Sequence, residues 1–226
     1  RITYYVNDTF DLENTDRAIP FSPGGTNISP DNYVLNLHGF IGYFDSLKNN
    51  QYTLQVISPT EFKYATALNE IQNSITNINK AVSVFSANRY FDITDNPIMY
   101  GNIEVETFNV GDISIVLSVY SPNKVHSAKS IKETVFKMME AQKKYLGELD
   151  STSRYDIFLY LSDLESKTTP RGFGALEHHK STVVVLEEQS TAEELAESMI
   201  DVVSHEFFHI VTPLSLHSED VHYFDY

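Results

Sequence analysis

Short runs of alternating apolar and polar residues occupy the first hundred positions of the chain and predict β-strands there. Residues 22–25 and 46–50 separate these runs as turns or loops, because they are rich in residues that favour turns. Residues 68–82 carry apolar side chains at helical spacing, but the asparagines and threonine between them disfavour a helix, so their structure stays open. The predicted strands lie at residues 2–6, 33–37, 40–44, 52–57 and 82–85.

Beyond residue 100 the pattern predicts strands and helices in alternation. A helix is expected over residues 127–146, where apolar residues recur every three or four positions. Its expected inward side chains are Ile131, Val135, Met138, Met139 and Leu146. Strands are expected at residues 103–108, 113–120, 157–161 and 183–186. We therefore expect an α+β protein, with a β-rich N-terminal domain at residues 1–100 and a second domain at residues 101–226.

A second helix follows the last predicted strand and carries the most informative motif of the chain. Ser190 is predicted to cap it, with Glu193 as the partner in a capping box, and Pro213 is predicted to end it. Near its C-terminal end stands the sequence His205-Glu206-Phe207-Phe208-His209. Its apolar stripe consists of Leu195, Met199, Val202, Val203 and Phe207.

The spacing of the two histidines indicates a metal site. Residues four apart on a helix share one face, with Cβ atoms roughly 5–6 Å apart, so His205 and His209 can bind one tetrahedral ion. Glu206 lies one position round the helix and can act as the general base for a water activated by Zn²⁺. The motif therefore predicts a metallohydrolase. The alternative is two surface histidines on a buried helix.

Composition narrows the partners and the metal chemistry. With no cysteine, any zinc is held by imidazole and carboxylate groups. A net charge of −15 argues against binding to nucleic acid, which requires clustered lysine and arginine. No apolar run approaches the roughly 20 residues of a membrane span, so none is expected in the chain. The location in the cell stays open, with an extracytoplasmic position as the expectation.

Negative charge is concentrated around the second helix. After Lys180 the chain has no lysine or arginine, whereas acidic residues continue to its end. Such a field would attract cations, including the free amino terminus of a peptide. Alternatively, the acidic residues at 187–197 complement the positive end of the helix dipole.

Two motifs resemble the glycyl aminopeptidase family of gluzincin zinc peptidases. One is Ser204 to His209, and the other is Gly174-Ala175-Leu176-Glu177-His178 followed by Ser181-Thr182. Asp95-Asn96-Pro97-Ile98 resembles the junction between that family's two domains. The resemblance implies a β-sandwich-like N-terminal domain and a thermolysin-like catalytic domain that binds zinc. The catalytic domain would be incomplete here, because family members continue with further helical and PDZ-type segments.

The resemblance also implies how substrate binds. Residues 174–178 would form an edge strand to which the substrate backbone adds, with Gly174 and Ala175 in contact with it. Glu177 would bind the α-ammonium group of a peptide with a free N-terminus, which predicts an aminopeptidase. Gly172 and Gly174 would let the substrate backbone approach closely. From the residues alone, the alternative is a turn and a surface strand with a solvated glutamate.

A catalytic zinc needs a third protein ligand, which similar enzymes take from a later helix, beyond Tyr226. The metzincin pattern is excluded, because Thr212 and Ser215 stand where it requires glycine and histidine. We therefore expect the chain to be part of a longer enzyme and to be inactive in isolation. Nearer alternatives for the ligand are His217, Glu219, Asp220 and His222.

Other hypotheses stay open. The chain could belong to a zinc endopeptidase, or it could be a non-catalytic β-rich binding module with a vestigial metal helix. His178 and His179 are neighbours on a predicted strand, so at most one faces substrate, and neither is taken as a ligand. Asp201 lies one turn before His205 and could orient its imidazole, although a solvated carboxylate is the expectation.

Overall fold

The computed structural model describes residues 1–11, 19–148, 152–166 and 169–211, and strands predominate in this part of the chain. Two antiparallel sheets are formed by residues up to Gly101, in the orders β1-β2-β7-β4 and β3-β6-β5. Their strands are β1 (Asn27–Ile28), β2 (Asn32–Leu35), β3 (Tyr52–Ser58), β4 (Lys63–Ala65), β5 (Asn69–Asn77), β6 (Lys80–Ala87) and β7 (Ile98–Gly101). The short helix α1 (Tyr90–Thr94) precedes β7. Short 3₁₀ helices lie at Ser22–Gly24, Leu37–Gly39 and Asp45–Leu47.

A five-stranded sheet and two long helices form the rest of the described structure. The sheet has the order β11-β12-β10-β9-β8, in which β9, β10 and β12 run parallel and the two edge strands are antiparallel. Its strands are β8 (Glu104–Val110), β9 (Ile113–Tyr120), β10 (Arg154–Ser162), β11 (Gly174–His178) and β12 (Ser181–Glu187). The helices are α2 (Ala128–Leu146) and α3 (Ala192–Phe208).

Most predicted elements beyond residue 100 are present. The strand expected at residues 113–120 is β9, and the helix expected from residue 127 is α2, capped by a capping box between Ser127 and Ser130. Of its expected inward residues, three are buried and two are partly buried. In this half the periodicity of the sequence and the burial in the structure agree.

Two predicted strands in the first hundred residues were wrong. Residues 2–6 and 40–44 contain no strand, although the hydroxyl of Tyr4 donates a hydrogen bond to the carbonyl of Phe40 and so joins the two segments. Ile2 and Tyr5 are largely exposed. An alternating pattern forms a strand only where a partner strand pairs with it, which these segments lack among the described residues.

The undecided segment at residues 68–82 lies in the hairpin formed by β5 and β6. Its apolar residues Ile71, Ile75 and Ile78 are exposed. Their helical spacing therefore carries no structural meaning. The bulges between Glu70 and Gln72 and between Ile75 and Asn77 further obscure the alternation expected of a strand.

The five-stranded sheet is buried on both faces. From β10, Tyr155, Ile157 and Leu159 pack against the two helices, whereas Phe158 and Tyr160 pack against the N-terminal sheet β1-β2-β7-β4. This explains the nearly continuous apolar sequence of β10. The N-terminal half therefore packs directly on the sheet that carries β11. Within the described residues, no helix combines the length and apolar character that a membrane span requires.

Candidate metal centre

Helix α3 begins one residue later than the sequence pattern predicted. Thr191 is the N-cap, and its hydroxyl accepts a hydrogen bond from the amide of Glu194, whose carboxylate accepts one from the amide of Thr191. The predicted pair Ser190 and Glu193 has the same spacing. The carbonyl of Ser190, however, lies 3.0 Å from Nε2 of His126. This contact joins Ser190 to the loop between β9 and α2.

The apolar stripe of α3 sets the rotation of the helix against the sheet. Leu195, Met199, Val203 and Phe207 are buried, and the ring of Phe207 lies edge-on to that of Tyr155 on β10. Helix α2 supports the last turn, because the side-chain amide of Gln142 donates to the carbonyl of Ser204 over 2.8 Å. The stripe therefore fixes which side chains at residues 205–209 face the interior.

The two motif histidines lie close together at the end of α3. Their Nε2 atoms are 3.2 Å apart, and His209 keeps helical dihedral angles as the C-cap residue. Two nitrogens bound to one tetrahedral zinc at about 2.0–2.1 Å would lie about 3.3 Å apart. Potential ligand atoms of His205, Glu206 and His209 all lie within 4.8 Å of one another. The residues present therefore fit a zinc ion.

Glu206 points inward and lies close to these two imidazoles. It is 7% exposed, and its Oε2 atom has no hydrogen-bond partner among the described residues. Burial raises the pKa of Glu206, the charge of Glu177 raises it further, and the two motif histidines act in the opposite direction. A carboxyl group with a raised pKa is suited to accepting and returning a proton near neutral pH.

Glu177 lies on the same side of the sheet as α3. Ala175 packs on the core beneath the helices, and because side chains alternate along a strand, Glu177 faces that side as well. Burial raises the pKa of Tyr155 well above its usual value, and the charges of Glu206 and Glu177 raise it further. The hydroxyl of Tyr155 and the two carboxylates therefore share one neighbourhood.

Strand β11 is an edge of the five-stranded sheet. Its ladder with β12 ends at the pair His178 and Ser181, which closes the hairpin. Since hydrogen-bonded pairs alternate along an antiparallel ladder, the backbone N–H and C=O groups of Ala175 and Glu177 point away from β12. These groups can pair with an extended peptide.

Gly172 and Gly174, at this edge, lie against another segment of this chain, where the sequence predicts substrate backbone. A Cβ atom at Gly172 would lie 1.8 Å from the carbonyl oxygen of Pro20, and one at Gly174 would lie 3.0 Å from the ring of Phe21. Gly174 also has φ +141°. The close approach that these glycines permit is thus to the chain's own segment at residues 20–22.

His178 and His179 both face a carboxylate from the N-terminal half. Nδ1 of His178 lies 3.2 Å from Asp95 Oδ1, and Nδ1 of His179 lies 3.1 Å from Asp95 Oδ2. His179 belongs to the turn after β11, so the alternation of neighbouring side chains along a strand does not apply to this pair. Sequence reasoning missed Asp95 as a contact of this hairpin, and its only signal was the motif at residues 95–98.

Other candidates contribute less to the site. Asp201 is exposed on α3, as expected of a solvated carboxylate. The nearer alternatives for a third ligand, His217, Glu219, Asp220 and His222, lie outside the described residues, as does Pro213. Glu193 and Glu194 lie in the first turn of α3, where their charge complements the positive end of the helix dipole.

Comparison with known proteins points to peptidases. Residues 1–102 match the Peptidase M61 N-terminal domain family. This agrees with the resemblance to the glycyl aminopeptidase family over the N-terminal half, while the catalytic portion lies beyond the matched residues. No curated protein matches the sequence.

One solved structure shows a similar fold. The crystal structure of an aminopeptidase N family protein from Idiomarina loihiensis has a TM-score of 0.65 and 18% identity, covering 82% of this chain and 31% of that protein. A two-domain M1 zinc metallopeptidase variant bound to L-arginine has a TM-score of 0.49 and 14% identity, covering 81% of this chain and 41% of that protein. The chain thus spans less than half the length of either protein.

Proposed function

We propose that the full-length protein containing this chain is a zinc aminopeptidase. The observation that carries the proposal is the 3.2 Å separation of the Nε2 atoms of His205 and His209, beside the inward carboxylate of Glu206. The match of residues 1–102 to the N-terminal domain of a peptidase family supports a peptidase. The catalytic part belongs to a thermolysin-like domain in this proposal, with the third zinc ligand outside the described residues.

Glu206 accepts and donates the proton that is transferred in the reaction. A zinc ion held by His205 and His209 would supply a Lewis acid for the scissile carbonyl and lower the pKa of a coordinated water. Glu206 accepts a proton from the attacking water and delivers it to the departing amine. Burial of Glu206 raises the pKa of this carboxylate, which favours its acting as the proton acceptor.

Strand β11 and Glu177 select the first peptide bond. The substrate backbone pairs with the outward N–H and C=O groups of Ala175 and Glu177, beside Gly174. The carboxylate of Glu177, on the helix side of the sheet, binds the ammonium group of the substrate's first residue. This anchor fixes the distance between the amino terminus and Glu206, so only the N-terminal bond reaches the site.

The test compares peptides with free and acetylated amino termini, using the zinc-loaded full-length protein. Glu206→Gln is expected to lower kcat at least about 100-fold with zinc content unchanged, because general base catalysis contributes that much or more. Glu197→Gln, an exposed carboxylate on the same helix, is the matched control and keeps full activity. Full activity in Glu206→Gln would reject the mechanism and favour a vestigial metal helix.

Acetylation separates aminopeptidase from endopeptidase. An aminopeptidase leaves the acetylated peptide intact, since Glu177 then has no ammonium group to bind. Equal cleavage of both peptides would indicate an endopeptidase and remove the anchor role of Glu177.

A further inference from the structure

One carboxylate of the N-terminal half holds the hairpin between β11 and β12. Asp95 follows α1 and is 6% exposed. Besides the two imidazole contacts described above, its Oδ2 accepts a hydrogen bond from the backbone amide of His179 over 3.0 Å. The ring of Phe91 on α1 lies edge-on to that of His179, with centroids 4.7 Å apart. The end of α1 and the hairpin are therefore joined by polar and apolar contacts.

The charge of Asp95 depends on these partners. Burial alone would raise the pKa of Asp95, but hydrogen bonds and charge from His178 and His179 outweigh burial and lower the pKa to about 2. A buried carboxylate without such donors is costly. The three contacts therefore act as one unit, and the hairpin is the partner that keeps Asp95 ionised inside the protein.

The position of this contact matters for Glu177. Strand β11 has only β12 as a strand neighbour; near its start Gly174 lies against Phe21, whereas its end, at His178, is held by Asp95. The side chain of His178 is buried and points to the face opposite Glu177. Holding His178 on one face consequently sets the direction of Glu177 on the other.

We propose that Asp95 is a positioning residue for substrate binding, whose carboxylate fixes the end of β11 so that Glu177 points at the amino terminus of the substrate. This inference rests on the proposed aminopeptidase function. The N-terminal half then takes part in substrate binding without touching the substrate. A merely structural contact would affect folding stability and leave the Michaelis constant unchanged.

The experiment measures kcat and KM of the zinc-loaded full-length protein with an aminoacyl p-nitroanilide. Asp95→Asn is expected to raise KM about tenfold and to change kcat by less than about threefold, because substrate anchoring is weakened while Glu206 keeps its place on helix α3. Asp92→Asn is the matched control, because it removes a carboxylate of α1 whose ion-pair partner is Arg89, and it keeps both constants.

A double variant tests whether Asp95 acts on KM through Glu177. Glu177→Gln alone is expected to raise KM at least as much, and Asp95→Asn is expected to add nothing further in the double variant, since both act through the same anchor. The inference would be overturned if KM of the double variant rose by the product of the two separate increases. An unchanged KM in a folded Asp95→Asn protein would also overturn it. An unchanged KM in Glu177→Gln would overturn the anchor role itself, and with it both proposals.

A milder variant keeps the test decisive if Asp95→Asn does not fold. His179→Ala removes one imidazole contact but leaves Asp95 bound to His178 and to the backbone amide. A KM raised about threefold supports the inference. An unchanged KM in this variant overturns it.

Discussion

The ring of Tyr155 lies edge-on to the ring of Phe207, with centroids 5.2 Å apart and an interplanar angle of 87°. Both side chains are fully buried. This contact anchors the last turn of α3 to the central strand of the sheet. Because Phe207 must face the sheet, its neighbour Glu206 is turned inward and His205 outward. The geometry of the proposed metal site is thus set by core packing.

Phe207→Ala is expected to lower the free energy of unfolding by about 3–5 kcal/mol, the cost of deleting a fully buried aromatic ring. Urea denaturation measures the loss. Phe208→Ala is the matched control, because Phe208 is 37% exposed and its loss should cost less than about 1 kcal/mol. Equal losses in the two variants would show that the Tyr155 contact does not anchor the helix.

Asp95→Asn is expected to destabilise the protein in a pH-dependent way. The folded pKa of Asp95, about 2, lies below its ordinary value of 3.8, so its stabilisation is present above about pH 4 and disappears as pH falls through 2. At pH 7 the variant should lose about 2 kcal/mol. Denaturation curves at pH 7 and at pH 3 measure this difference, which should shrink at the lower pH. A loss independent of pH would exclude ionised Asp95 as the source.

Gly172→Ala is expected to destabilise the protein by about 2 kcal/mol or more, since the added methyl group would collide with the backbone carbonyl of Pro20. Thermal unfolding, compared with Gly42→Ala, measures the effect. Gly42 has open space where a Cβ atom would lie, which makes it a suitable control. Similar transitions for the two variants would mean that segment 20–22 does not pack against this edge.

The parts of the fold that the sequence predicted are those whose periodicity reflects burial in the final structure. Helices α2 and α3 each bury one stripe, so helical spacing located them to within a residue or two at their N-termini. The motif at residues 205–209 could be recognised in the sequence, because a spacing of four residues is enough to bring two imidazoles together on a helix. In these cases the spacing of residues along the chain was sufficient to predict the structure.

Other features depended on contacts distant in sequence. Residues 2–6 resemble a strand but find no strand partner among the described residues, and the pattern at residues 68–82 reflects isoleucines that stay exposed. The N-cap of α3 is Thr191, and the carbonyl of Ser190 contacts His126, 64 positions earlier in the chain. Asp95 and His178 are 83 positions apart, and no local pattern could have paired them.

The zinc content of the full-length protein tests the central claim most directly. After loading with excess zinc and removal of unbound metal, elemental analysis should find about one zinc per chain in the wild-type protein and in Glu206→Gln. His205→Ala and His209→Ala should each lose it while remaining folded, because a catalytic site cannot retain zinc firmly on fewer ligands. A wild-type protein without zinc, or full zinc content in both histidine variants, would contradict the account.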